Sequence, residues 1–135
     1  MVKRDIEKQV VPYCIENDIS ILAYSPLERG LLTGKLKPGH HFAEGDHRAA
    51  VYFFKDENIK RTNLFLDSMK VMCREKNTTL AQLVIRWTVE QPGITIALVG
   101  ARNEQQSVQN AKAIRVKLSR EEIDFINVRL EWLWL

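Results

Sequence analysis

The chain has 135 residues, of which 45% are hydrophobic and 27% charged, with 20 Lys and Arg against 17 Asp and Glu. That composition suits one compact domain with a single core, and it excludes a disordered chain, a collagen-like repeat and a disulfide scaffold. The basic residues are spread along the sequence, so the formal charge of +3 reads as a mixed solvated surface and no nucleic-acid partner is expected.

In residues 3–17, Ile6, Val10, Tyr13 and Cys14 recur at helical spacing, which predicts a helix with those side chains on one face. Pro12 predicts a kink, or a restart just before it. Residues 19–24 (Ile-Ser-Ile-Leu-Ala-Tyr) are short and apolar and predict a strand buried on both faces. Residues 25–58 then form a long connection rich in Gly, Pro, His and charge. Loops of that length are uncommon in compact domains and are usually functional or mobile.

Phe65, Met69, Met72 and Cys73 form one stripe and predict a helix over about 59–76. Leu80, Leu83, Val84 and Trp87 predict another over about 79–91, opened by a capping box from Thr79 to Gln82 and ended by Pro92-Gly93. Residues 94–99 (Ile-Thr-Ile-Ala-Leu-Val) predict a second buried strand. A helix over 103–113 follows, beginning at Asn103-Glu104-Gln105-Gln106. Ser119-Arg120-Glu121-Glu122 is a further capping box, opening a last helix over 119–133 that carries Ile123, Ile126 and Leu130. Alternating elements with buried strands predict a parallel α/β arrangement. Two strands do not make a stable parallel sheet alone, so the pattern reads as part of something larger.

Cys14 and Cys73 lie far apart among apolar neighbours, with no C-x-x-C and no His at ligand spacing. They are expected to be reduced core thiols, and no metal site is expected. His40, His41 and His47 read as loop residues. No run approaches the roughly 20 apolar residues of a membrane span, and the start carries no apolar signal segment. A soluble cytoplasmic protein is expected, in which Asn77-Thr78-Thr79 is a chance glycosylation sequon.

Both strand ends lead into segments suited to phosphate. The first is Tyr24-Ser25-Pro26-Leu27-Glu28-Arg29-Gly30-Leu31-Leu32-Thr33-Gly34-Lys35, and the second Gly100-Ala101-Arg102-Asn103. Glycine permits close backbone approach, the helix start near Asn103 attracts anions, and an Arg grips phosphate bidentately. The competing reading is a tight turn at Gly100 and a solvated Arg102. Gly30-Leu31-Leu32-Thr33-Gly34-Lys35-Leu36 is no P-loop, having three residues between its glycines and Leu after the Lys, and no G-x-G-x-x-G occurs.

Together the two segments resemble the aldo-keto reductase family. The matching stretches are Ala23-Tyr24-Ser25-Pro26-Leu27 with Gly30-Leu31-Leu32-Thr33-Gly34-Lys35, and Leu98-Val99-Gly100-Ala101-Arg102-Asn103 with Gln106-Ser107-Val108-Gln109-Asn110. Their order and spacing extend the resemblance over nearly the whole chain. Gly100-Ala101 resembles the bacterial and potassium-channel β-subunit branches rather than members with Lys-Ser there. The resemblance implies a (β/α)8 barrel that binds NADP(H) across its C-terminal face. At 135 residues the chain is too short for a complete barrel of roughly 250 residues, so it would form about the last two strands with their helices.

By that resemblance Tyr24 stacks on the nicotinamide ring, and Ser25, Pro26, Leu27, Glu28 and Arg29 lie along the pyrophosphate. Lys35 and Arg48 are basic loop positions that clamp the cofactor. Gly100 and Arg102 surround the 2′-phosphate, and Gln106, Gln109 and Asn110 lie on the helix that contacts this phosphate and the adenine. The competing readings, from the residues alone, are a core aromatic at a strand end for Tyr24 and ordinary solvated polar residues for Arg48, Gln109 and Asn110; for Tyr24 the functional reading is favoured, because an aromatic at a barrel strand's C-terminal end faces the site.

The resemblance also implies what is missing. Carbonyl reduction in this family uses a Tyr general acid tuned by Lys and Asp, with a His orienting the substrate, all in the first half of the barrel. Tyr13, Tyr24 and Tyr52 lack those surroundings, and the family's D-x-x-x-x-Y has no counterpart here. Met1 resembles an interior residue just past the sixth strand, so an internal start is expected. Three readings stay open: the C-terminal part of an NADPH-dependent reductase acting on a carbonyl substrate, a cofactor-binding module that pairs with an N-terminal half or with itself, and a non-catalytic relic.

Overall fold

The computed structural model describes residues 1–133. Trp134 and Leu135, which complete the 1–135 segment expected to be a partial barrel, lie outside the described residues. The helical start divides in two. A 3-10 turn at Asp5–Lys8 precedes helix α1 (Val10–Glu16), and Gln9, with φ −133°, breaks the run between them. Pro12 consequently falls in the first turn of α1, where its missing N–H forfeits no helical hydrogen bond. The inward face is also shifted from expectation. Val11 and Cys14 are buried, whereas Ile6, Val10 and Tyr13 are exposed.

Strands β1 (Ile21–Tyr24) and β2 (Ile94–Leu98) pair in parallel, and they are the two strands among the described residues. Ile21 sits opposite Ile94, but Leu22 sits opposite Ile96, so Thr95 is an extra residue that bulges β2. Its hydroxyl accepts the Ile21 N–H at 3.2 Å. The bulge resets the alternation and puts Ile96 and Leu98 on the same face as their partners Leu22 and Tyr24. All four are exposed, and no residue of either strand is buried. The expectation of strands buried on both faces is therefore corrected: the helices of residues 1–133 cover one face only.

The connection over 25–58 is not bare loop. It holds 3-10 turns at Glu28–Thr33, His47–Ala50 and Tyr52–Phe54, and helix α2 (Asp56–Ser68) begins inside the predicted loop. Leu31, Leu36, Phe54 and Ile59 make a small core of its own, against which Phe42, Val51 and Phe53 pack. Polar side chains of α2 fasten the loop. Asp56 accepts the Gly39 N–H at 2.7 Å, and Asn63 and Asn58 donate to the carbonyls of Leu36 and Tyr52, each at 2.8 Å. Ordering this segment removes the entropy a mobile connection would keep.

The predicted helix at 59–76 breaks at Met69 into α2 and α3 (Lys70–Glu75), yet its stripe of Phe65, Met69, Met72 and Cys73 stays buried. Helix α4 (Leu80–Val89) opens on the Thr79–Gln82 capping box and buries Leu83, Val84 and Trp87. Gly93 turns the chain toward β2 with φ +76°, and a Cβ there would meet Val11 Cγ1 at 2.9 Å. Helix α5 (Glu104–Ala111) is followed by a 3-10 turn at Lys112–Arg115, shortening the predicted 103–113 helix. Helix α6 (Arg120–Glu131) opens on the Ser119–Glu122 capping box.

The main core lies among the helices, where Leu66, Met69, Leu83, Val84, Trp87 and Ile126 are essentially inaccessible. Trp87 Nε1 donates to Asn127 at 3.1 Å, and Lys76 pairs with Glu122 at 2.8 Å, fixing α6 against α4 and the end of α3. Among the described residues no helix is long and apolar enough to cross a membrane.

Candidate functional site

Parallel strands end on the same side of their sheet. With Tyr24 opposite Leu98, the segments that follow β1 and β2 leave from one edge, the end of a parallel α/β sheet where ligands are generally held. Tyr24 is 85% exposed at that edge. This excludes the core-aromatic reading within residues 1–133.

The first segment turns sharply. Ser25, Glu28, Arg29 and Gly30 all have positive φ, at 53°, 43°, 50° and 97°. Pro26 is buried and Leu27 packs on the main core, so the turn is anchored at its base. Glu28 pairs with Arg29 at 2.6 Å, and the Arg29 guanidinium lies 5.4 Å from the centre of the Phe54 ring. Gly34, with φ +71°, closes the segment, and Lys35 beyond it is exposed. A cleft of about 690 Å³ opens beside Tyr24, Ser25, Pro26, Glu28 and Arg29, closed on its other side by residues 1–7 and Trp87. Arg4 lies 5.7 Å from the Trp87 ring centre and pairs with Glu7 at 2.7 Å. Leu27, Lys35 and Arg48 do not line this cleft.

Arg48 is fully engaged. Its Nε and Nη2 donate to both Asp46 carboxylate oxygens at 2.6–3.1 Å, its Nη1 donates to the Arg29 carbonyl at 3.2 Å, and its guanidinium lies 5.1 Å from the Phe42 ring centre. The hydrogen bonds from the Arg48 side chain and backbone hold the Asp46 carboxyl down at about 2, and the same partner raises the Arg48 pKa. The pair is therefore charged across the neutral range. The solvated reading of Arg48 does not survive this geometry.

The second segment is organised from α5. Asn103 caps the helix by accepting the Gln106 N–H at 2.9 Å, Gln106 Oε1 accepts the Arg102 N–H at 2.9 Å, and Asn110 donates to the Gly100 carbonyl at 3.3 Å. Gln109 is tied to α4, its backbone and side-chain oxygens accepting from Gln82 Nε2 at 2.8 and 3.2 Å. The Arg102 guanidinium is exposed and has no protein partner among the described residues. Apart from its two chain neighbours, no atom of the described residues lies within 4 Å of a Cβ placed on Gly100, whose φ is not in the left-handed range. The tight-turn reading of Gly100 thus loses its reason, and open space above the backbone is what the position provides. These second-segment residues do not line the cleft.

The structure adds residues that sequence reasoning passed over. Asp46 holds Arg48, Phe42 and Phe54 support the two arginines, and Gln82 joins α4 to α5. The Asp46-His47-Arg48 spacing was the available signal for the first. Gln82 was legible as a cap but its second partner, 27 residues on, was not. Burial pushes the Cys73 thiol up, which suits an inert core cysteine. Among the described residues no cluster of three or more His, Cys, Asp or Glu side chains is placed to hold a metal.

Comparison with known proteins supplies the lineage. Residues 1–129 match the family described as "Aldo/keto reductase family". The chain is 31% identical over 132 residues to the aldo-keto reductase YhdN of Bacillus subtilis, covering 97% of this chain and 40% of that protein. It is 30% identical over 119 residues to the NADH-specific methylglyoxal reductase of Escherichia coli, covering 88% and 36%. It is 32% identical over 110 residues to the aldo-keto reductase yakc [NADP(+)] of Schizosaccharomyces pombe, covering 82% and 32%. Among solved structures, a glycerol dehydrogenase of Gluconobacter oxydans matches with a TM-score of 0.85 at 30% identity, over 96% of this chain and 39% of that one. The chain thus spans about a third to two-fifths of the length of these relatives. It belongs to the aldo/keto reductase family.

Proposed function

We propose that the chain is the C-terminal, NADP(H)-binding portion of an aldo-keto reductase (β/α)8 barrel, contributing the last two strands and their helices to an oxidoreductase that reduces aldehydes or ketones. The observation that carries the reading is the parallel register of β1 and β2, which brings both phosphate-suited segments to one sheet edge. The residues suit a nicotinamide dinucleotide: an exposed tyrosine, a guanidinium with no protein partner among the described residues, and an open glycine backbone. In the bound state Tyr24 would stack on the nicotinamide ring, and residues 25–29 with Lys35 would enclose the pyrophosphate, with Arg48 fastened to Asp46 and to the Arg29 carbonyl of that segment. Arg102 with Gly100, Gln106, Gln109 and Asn110 would meet the 2′-phosphate and adenine. The cofactor supplies the hydride.

The relatives' names include both an NADH-specific and an NADP(+) enzyme, so the choice of NADP(H) rests on Arg102. A charge-assisted hydrogen bond contributes about 1.5–3 kcal/mol, or roughly 10–100-fold in affinity. Titrating cofactor fluorescence should therefore show R102A weakening NADPH binding by at least about tenfold while NADH binding changes little. An equal loss for both cofactors would contradict the assignment. Because the family's Asp, Tyr, Lys and His belong to the other half of the barrel, this chain alone is proposed to be catalytically inactive. Its reduced cysteines fit work in the cytoplasm, and neither nucleic acid nor membrane is a proposed partner.

A second reading is favoured by the exposed face of Leu22, Tyr24, Ile96 and Leu98. It is a non-catalytic half-barrel that buries this face against a partner chain or a second copy.

A further inference from the structure

We propose that Asp46 and Arg48 form a positioning clasp that fixes the turn at residues 28–30, so that Arg48 acts on the cofactor segment through the Arg29 carbonyl rather than through direct contact with a phosphate. The inference rests on the reading that this turn lies along a dinucleotide's pyrophosphate, and it assigns the turn a means of being held.

Glu28 and Arg29 carry a Cβ yet both occupy left-handed backbone, with φ 43° and 50°. Such residues are strained and persist only where their surroundings hold them. The hold here is a closed ring of contacts. Asp46 binds the Arg48 guanidinium through Nε and Nη2, and Nη1 reaches the Arg29 carbonyl at 3.2 Å. Arg48 rests on Phe42, Phe42 meets Phe54 edge-on at 5.7 Å, and Phe54 lies beneath the Arg29 guanidinium, which pairs with Glu28. The ring joins two loops 19 residues apart at the strained turn. With three of its nitrogens already donating, Arg48 is spent on the fold.

The two roles open to Arg48 predict opposite signs for one substitution. Were it a phosphate contact, D46N would remove a competing anion and leave NADPH binding tighter or unchanged. As a clasp, D46N loosens Arg48, frees the turn and weakens binding. Lysine keeps the charge but cannot reproduce the fork that grips a carboxylate and a carbonyl together. The experiment takes the full chain and its D46N and R48K variants, follows NADPH fluorescence on titration, and reads amide hydrogen exchange at residues 27–34. The clasp requires D46N and R48K each to weaken NADPH binding by about tenfold. Both must also speed exchange at 27–34 while exchange in α4 and α6 stays as in the parent chain. Tighter or unchanged binding by D46N, or parental binding by R48K, overturns it. If the parent chain does not bind NADPH, the cofactor reading fails by itself and exchange alone judges the clasp: parental exchange at 27–34 in D46N overturns it, and faster exchange sustains it.

Discussion

Thr62 is fully buried in α2, and its hydroxyl has no hydrogen-bond partner among the described residues. A buried unpaired hydroxyl costs about 1–3 kcal/mol of desolvation that an apolar group of similar shape does not. T62V should therefore stabilise the chain by about 1 kcal/mol, and thermal unfolding should show a rise in Tm of a few degrees. A lowered Tm would mean that the hydroxyl is satisfied. The same question of where a polar group's partner lies separates the two site arginines. The contacts around Arg102 were legible because its segment is local: Asn103, Gln106 and Asn110 lie within ten residues of Gly100, and their spacing alone suggests a helix start beside it. The engagement of Arg48 had a local signal only at Asp46, two residues before it. Arg29 and Phe42 meet it only after the loop folds, with Phe54 behind Phe42, and sequence spacing carries no such information.

Helix starts behave in the same way. Both capping boxes were readable because a cap and its partner lie three residues apart, and both form. The restart of the first helix after Gln9 was readable from Pro12, whereas the break at Met69 and the bulge at Thr95 carry no local sequence signal. Gln82 belongs to both classes. Its Oε1 accepts from Thr79 N–H at 3.1 Å and from the Thr78 hydroxyl at 2.9 Å, while its Nε2 reaches Gln109. T79A removes one cap and should cost about 1 kcal/mol in urea unfolding. Q82A removes the cap's return bond and the tie to α5 from a buried position, and should cost about 2–4 kcal/mol. Amide exchange in α5 should rise in Q82A but not in T79A. Equal costs with a quiet α5 would show the tie to be idle.

At the scale of the whole molecule, composition and alternation gave the correct parallel α/β class, and the family followed from two motifs. What composition misjudged was burial of the strands. Their apolar sequences suit a sheet covered on both faces, but the helices of residues 1–133 cover one, leaving Leu22, Tyr24, Ile96 and Leu98 open. Strand sequence reports the environment a strand is built for. An exposed apolar strand face is consequently the mark of a surface shaped for further structure.

Under the proposed function, these residues build the cofactor-gripping edge of a reductase without its reaction centre. The most direct measurement is NADPH fluorescence, followed over time, as the purified chain is titrated in the presence of an aldehyde. The expected result is a saturable change on binding and a signal that then stays constant. Absence of saturation would contradict the cofactor site, and a steady loss of NADPH fluorescence would contradict the absence of the reaction centre.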